Sequence, residues 1–302
     1  MSTFLIVVFS ATFCSISRVV LNLFDRNFFR KGDVDFLRGI LLNALNPLFF
    51  AIGNCLLLGC LYSSILLLLK NPGVILSGIG AQCAAYAATN CLREMNIRNV
   101  MVTCKTSDFF IPLGVFFVTS QFCFNDYFFV SLTTLSFIPL ALTILKEGKL
   151  YEKASYIFIG SLFAQAIINS YFHMSDYARD WEDFSKLMVG ILCWRAIFML
   201  LSVVVQYFKN PTTNRQPLNV KALSKLFLRG SLAFLSQASF FFSITREMSF
   251  IAWPIINATP ILSCYAAHYF LKERTGRPEL QTLCLFMLTF CTYFLYKGGY
   301  LW

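Results

Sequence analysis

Charge is what this sequence is short of. Only 13% of its 302 residues are Asp, Glu, Lys or Arg, while 57% belong to the hydrophobic set. A soluble domain of this length carries about 25% charge, and no stretch here is long or polar enough to form one, so a separate soluble domain is excluded. Histidine is almost missing: His173 and His268 are the two present, too few for a His-built metal or acid–base site. Eleven cysteines occur without a CxxC pair and mostly inside apolar runs, so they read as small buried residues and not as a disulfide framework or metal site. No basic segment precedes the first apolar run, which begins at Thr3 and contains Arg18; it reads as a membrane span and not as a cleavable signal peptide. No cofactor is expected, and no nucleic-acid partner.

What the chain has in abundance is apolar runs. Ten candidate spans are bounded by charge or by Pro/Gly clusters, at about 3–24, 36–58, 74–93, 95–118, 127–145, 154–174, 187–208, 222–245, 248–271 and 280–297. Residues 36–69 are assigned one crossing with an interfacial extension, because Gly39 to Leu69 would otherwise have to supply two crossings and a turn from about 31 residues. The net charge of +10 lies mostly in short connections and reads as a topology signal. The expectation is an integral multi-pass protein of a bacterial inner membrane.

The run from Met95 to Val118 stands out, because it carries Lys105, Thr106, Ser107 and Asp108 near its middle. A charged group facing lipid there would cost about 2.5 kcal/mol or more, so the pair is expected to face protein or a wet cavity. The alternative is a structural pair, three apart on one helix face, that neutralises itself.

A self-comparison gives the domain organisation. Arg93-Glu94-Met95 returns 153 positions later as Arg246-Glu247-Met248, and the same offset pairs Tyr86 with Ser239 and Asn90 with Ser243. The chain divides into a five-span repeat over 1–150 and a second over 151–302. An odd number of spans turns the second half upside down relative to the first, an arrangement that marks secondary transporters with a midplane site between repeats.

Asn257-Ala258-Thr259-Pro260-Ile261-Leu262, followed by Leu271-Lys272-Glu273-Arg274 and the run Leu280 to Leu295, resembles the end of the EamA-like ten-helix members of the drug/metabolite transporter superfamily. The matching features are a penultimate helix with a central proline, a short Glu-containing turn and a closing helix. Lys105 to Asp108 occupies the equivalent stretch of the first half. Ser120 and the late Pro112 depart from the pattern. The resemblance implies an all-α fold of ten membrane helices and places both termini in the cytoplasm. Counting Lys and Arg in the connections gives sixteen on one side and five on the other, which by the positive-inside rule places both termini outside.

Polar residues recurring every three or four positions give candidate cavity walls: Gln82, Tyr86, Asn90 and Arg93; Ser236, Ser239, Ser243 and Arg246; Gln165 and Asn169; Trp253 and Asn257. Packing or interhelical hydrogen bonding is the alternative for each. The proposed substrate site comprises Arg18, Tyr86, Lys105, Asp108, Gln165, Asn169, Trp253 and Asn257. Arg18 offers a fork for a carboxylate or phosphate, Lys105 and Asp108 suit a zwitterion, and Tyr86 and Trp253 can stack on a cationic or aromatic portion. The best-fitting cargo is an amino acid or an amino-acid-derived nucleoside such as S-adenosylmethionine, with a coupled ion or counter-substrate as a further partner. The rival cargo is a sugar phosphate or nucleotide sugar. An enzyme is not expected: Asp176, Asp180, Glu182 and Asp183 form the one dense acidic cluster, in a short loop with no second motif. A non-transporting structural or receptor-like membrane protein is the remaining class.

Overall fold

A computed structural model describes residues 3–30, 36–120, 124–147, 153–209, 220–244 and 249–297. The repeated tripeptide at 246–248 lies outside them. Every regular element among the described residues is helical. The long helices are α1 (Thr3–Arg30), α2 (Phe36–Leu57), α4 (Pro72–Glu94), α5 (Ile97–Thr119), α8 (Lys153–Tyr171), α9 (Trp181–Lys209), α10 (Val220–Ile244) and α13 (Arg277–Lys297). Shorter ones are α3 (Leu61–Lys70), α6 (Phe124–Leu135), α7 (Ile138–Lys146), α11 (Ser249–Asn257) and α12 (Thr259–Leu271).

Among the described residues, five helices are long and apolar enough to cross a membrane, and two bent pairs raise the number to seven. Those pairs are α3 with α4, at 88°, and α6 with α7, at 44°. This is the build of a multi-pass membrane protein. With 10 residues, α3 spans about 15 Å, half a hydrocarbon core, and cannot cross alone. The backbone turns into it at Gly59, where φ is +69°. Asn71 then opens α4 by accepting from the Gly73 N–H at 2.8 Å, with Pro72 at the first helical position, where a missing N–H costs nothing.

One helix runs past its expected end: α1 continues to Arg30, not to about residue 24, whereas α10 matches its expected span, with Arg229 inside it. The charges that mark a loop in the sequence are here folded into helix and paired, as described below.

The packing has a regular plan. α1 lies against α10 and also against α11 and α12; α4 lies against α8 and α9; α2 lies against α9 and α10; α5 lies against α8 and α12; α13 lies against α6 and α7. α1 also packs on α4, whereas α8 and α10 form no comparable contact among the described residues. Two glycines permit the closest approaches. A Cβ on Gly78 would lie 2.6 Å from the Trp194 Cβ and 2.8 Å from the Ile191 carbonyl oxygen of α9, and one on Gly230 would lie 2.3 Å from the Asn46 Cβ of α2. The largest apolar core gathers where α4, α5, α7, α8, α12 and α13 meet, around Ile97, Met101, Leu140, Ile144 and Ile261.

Candidate functional site

A cavity of about 600 Å³ lies between α1, α4, α5, α6, α10 and the α11–α12 junction. Among the described residues, five charged side chains line it: Arg18 and Asp25 from α1, Lys105 and Asp108 from α5, and Arg229 from α10. The Lys105 Nζ donates to Asp108 Oδ2 at 2.9 Å and to Asn257 Oδ1 at 2.6 Å. Lys105 is 2% exposed and Asp108 37%, so the ammonium is enclosed while the carboxylate faces the cavity. Asn257 is the last residue of α11 and sits at the break before α12, so the backbone irregularity of this helix brings an amide oxygen to the buried ammonium.

Asp25 and Arg229 form the other pair. Their two hydrogen bonds, Nε to Oδ1 at 2.7 Å and Nη2 to Oδ2 at 2.6 Å, make a two-pronged grip between α1 and α10. Both acids of the cavity are thereby matched by a base. Arg18 is the fifth charge: its guanidinium stacks 4.9 Å from the Phe240 ring centroid and makes no hydrogen bond or ion pair among the described residues. Three cations against two anions leave the cavity one positive charge in excess, carried by Arg18. The wall is completed by Asn22, whose Nδ2 donates to Ser263 Oγ at 3.1 Å, and by Thr259, which shares a 3.0 Å hydroxyl contact with Ser15.

At the end where α1 finishes, the bundle is tied shut. Arg26, 3% exposed, donates Nε to Glu273 Oε1 at 2.9 Å, Nη1 to the carbonyls of Leu92 at 2.8 Å and Arg93 at 3.1 Å, and Nη2 to Asn96 Oδ1 at 3.1 Å. The second Glu273 oxygen accepts the N–H of Ile97, the first residue of α5, at 3.0 Å. A cation thus meets the orphan carbonyls at the α4 C-terminus, and a carboxylate meets the α5 N-terminus, each the favourable partner for that helix end. Arg98, paired with Glu147 and 3.9 Å from Glu279, extends the network across the same end.

Of the sequence-derived site, Arg18, Lys105, Asp108 and Asn257 line one cavity. The others do not join them. Tyr86 is 41% exposed and is not a cavity residue; the face of α4 that meets the cavity carries Ala85, Ala88, Thr89 and Leu92. The polar stripe beginning at Gln82 turns instead toward α9, where the Gln82 Oε1 accepts from Arg195 Nε at 2.8 Å. Asn169 accepts from the Ser77 hydroxyl at 2.8 Å, and Gln165 sits in the α4–α8 contact near Gly80. These residues join helices because a buried amide is satisfied most cheaply by a neighbouring helix. The Trp253 side chain lies outside the described residues. Ser236 and Ser243 are likewise buried in packing, facing Cys14 and the Phe240 carbonyl. Asn22, Asp25 and Arg229 belong to the cavity without having been expected there. Their signal is faint: Asp25 follows the expected first span, and Asn22 and Arg229 lie inside expected spans without a polar repeat to single them out.

The acidic cluster has local uses. Asp180 Oδ1 accepts from the Asp183 N–H at 2.8 Å at the start of α9, and Lys186 bridges Glu182 and Asp183. Among the described residues no group of His, Cys, Asp and Glu is arranged to hold a metal ion.

No family model matches the sequence, and no curated protein matches it. Solved structures do: one, described simply as the crystal structure of a protein, aligns over 93% of this chain and 95% of its own with a TM-score of 0.62 at 14% identity. At that identity the likeness is one of fold.

Proposed function

We propose that the chain is a secondary transporter of the drug/metabolite type, with ten spans in two inverted five-helix halves, moving a small organic metabolite that carries an anionic group. The observation that carries the cargo class is the charge balance of the cavity: two acids neutralised by two bases, and Arg18 in excess. A carboxylate or phosphate on Arg18 would neutralise the site, and Arg holds either with two parallel hydrogen bonds. Lys105 is enclosed by Asp108 and Asn257, so it serves the anion less directly than Arg18 does.

Several features support two related halves. The C-terminal end of α5 recurs 152 positions later as the end of α12, Thr119 with Leu271. Each of these elements ends on a left-handed residue, Ser120 and Lys272, also 152 apart. Gly78 and Gly230, again 152 apart, mediate the α4–α9 and α10–α2 approaches. Lys105 and Asn257 share this spacing and touch each other, as residues beside a pseudo-two-fold axis must. The structural spacing of 152 differs by one from the sequence offset of 153.

An unequal pair supports alternating access: α1 packs on α4 at the Arg26 end, while the equivalent pair, α8 and α10, forms no comparable contact among the described residues. A carrier closed at one end and open at the other has this asymmetry, and its mirror state would part α1 from α4 and close α8 on α10.

The exposed carboxylate of Asp108 favours one further reading, a zwitterion with its acid on Arg18 and its amine on Asp108; neutral amino acids and S-adenosylmethionine belong to it. Purified protein in liposomes, tested with labelled neutral amino acids, S-adenosylmethionine, sugar phosphates and nucleotide sugars, separates the classes. Uptake of an anion-bearing member that is lost in Arg18→Gln is the expected outcome. Uptake of cations alone, or none by any member, would remove the proposal.

A further inference from the structure

A second cavity, of about 260 Å³, adjoins the first between α6, α11 and α13. It shares Val130, Thr133 and Asn257 with the main cavity, so the two meet across these side chains. Beyond them its lining is aromatic, with Phe286, Phe290 and Tyr293 on α13 and Phe129 on α6, whose ring lies 4.6 Å from that of Tyr293. Its two threonines present methyl groups more than hydroxyls. Thr133 donates to the Val130 carbonyl at 2.8 Å and Thr289 to the Leu285 carbonyl at 3.0 Å, so both hydroxyl hydrogens are spent on their own helices. At about 30 Å³ per water the volume equals some nine waters, room for a ring or a short alkyl chain, with few polar partners to hold water in place.

We infer that this annex receives the apolar portion of the transported molecule, so that the cargo is amphipathic, with an anionic head at Arg18 and a ring or short chain lodged against α13. The inference rests on the proposed anion transport and narrows its cargo. Asn257 is the junction. Its Oδ1 is held by Lys105 on the polar side, and its residue forms part of the wall on the apolar side. A cargo that is polar throughout would leave the annex unfilled, whereas a tail entering it gains about fourfold in affinity for each methylene buried.

The test uses full-length protein in lipid nanodiscs, titrated calorimetrically with n-alkylphosphonates and n-alkylcarboxylates from methyl to dodecyl, with empty nanodiscs as blank. Affinity should climb through about the hexyl member and then level off as the annex fills. Thr289→Phe, and the milder Thr289→Leu should the first fail to fold, should flatten the climb while the methyl member, which has no tail, binds as before; Arg18→Gln should weaken every member alike. Affinity independent of tail length, or a climb that survives both Thr289 variants, overturns the annex and leaves anion binding at Arg18 standing. A climb that continues to dodecyl overturns it too, because the cavity is then a lateral opening for lipid chains. If no member binds, short or long, the anion reading falls together with the annex.

Discussion

The enclosed ammonium of Lys105 has two oxygen partners, and each constrains what substitution does. Lys105→Ala leaves Asp108 without its base, and Asp108→Asn leaves the buried ammonium with Asn257 alone; both changes are expected to destabilise, the second more because Lys105 is enclosed whereas Asp108 faces the cavity. Lys105→Met combined with Asp108→Asn removes both charges at nearly constant volume. The expected outcome is a protein produced at wild-type level in the membrane that takes up no substrate, measured by membrane yield and liposome uptake. Full transport by the double variant would make the pair structural. Arg18 behaves differently, since it has no anion to abandon. Arg18→Lys keeps the charge but loses the fork, and uptake should fall at least tenfold through a raised KM, with thermal stability unchanged.

Among elements, helix existence was legible and helix reach was not. Apolar runs locate α4 and α5 to within a few residues, because the apolar stretches on both sides of Lys105–Asp108 are long enough to carry the pattern through it. α1 extends further than its hydropathy because Asp25 is neutralised by Arg229 of α10, and Arg26 is satisfied by Glu273 and the α4 C-terminus. No single-helix pattern reveals a partner two hundred residues away. The same blindness affects the site: Lys105 and Asp108 are three apart and legible as a pair, whereas the face of α4 that lines the cavity is mostly small and apolar. It also affects the orientation count, since Arg26, Arg98 and Arg229 are committed to ion pairs and report on topology less than their positions imply. Close helix approach yields a direct prediction. Gly78→Ala drives a methyl group into Trp194 and the Ile191 carbonyl and should destabilise by about 1–3 kcal/mol, whereas Gly53→Ala, with nothing within 4 Å, should be neutral. Thermal unfolding of the purified variants, read by intrinsic fluorescence, separates the two.

For the whole molecule, the unequal pairs α1–α4 and α8–α10 set two distances that should move in opposite directions. Spin labels at Asn27 and Glu94, both exposed near the Arg26 end, should sit close together and separate when Glu273→Gln weakens the tie. Labels at Tyr171 and Gln237, toward the other end, should approach one another in the same variant. A change at one end without the other would mean that the two halves do not move as rigid bodies. The tie at Arg26 also reaches beyond geometry. On the proposed transporter reading, four hydrogen bonds from one guanidinium, in a site sheltered from water, should bias the empty protein toward the state in which that end is shut. After unloading, a carrier that took cargo from the open face returns to it quickly, whereas one that took cargo from the shut face must return against the bias. A passive carrier cannot favour one direction at equilibrium, so the ratio of maximal rate to half-saturation is equal from both faces. The bias should therefore surface as a loose, fast entry from the open face and a tight, slow entry from the shut one, and loosening Arg26 should draw the two toward equality.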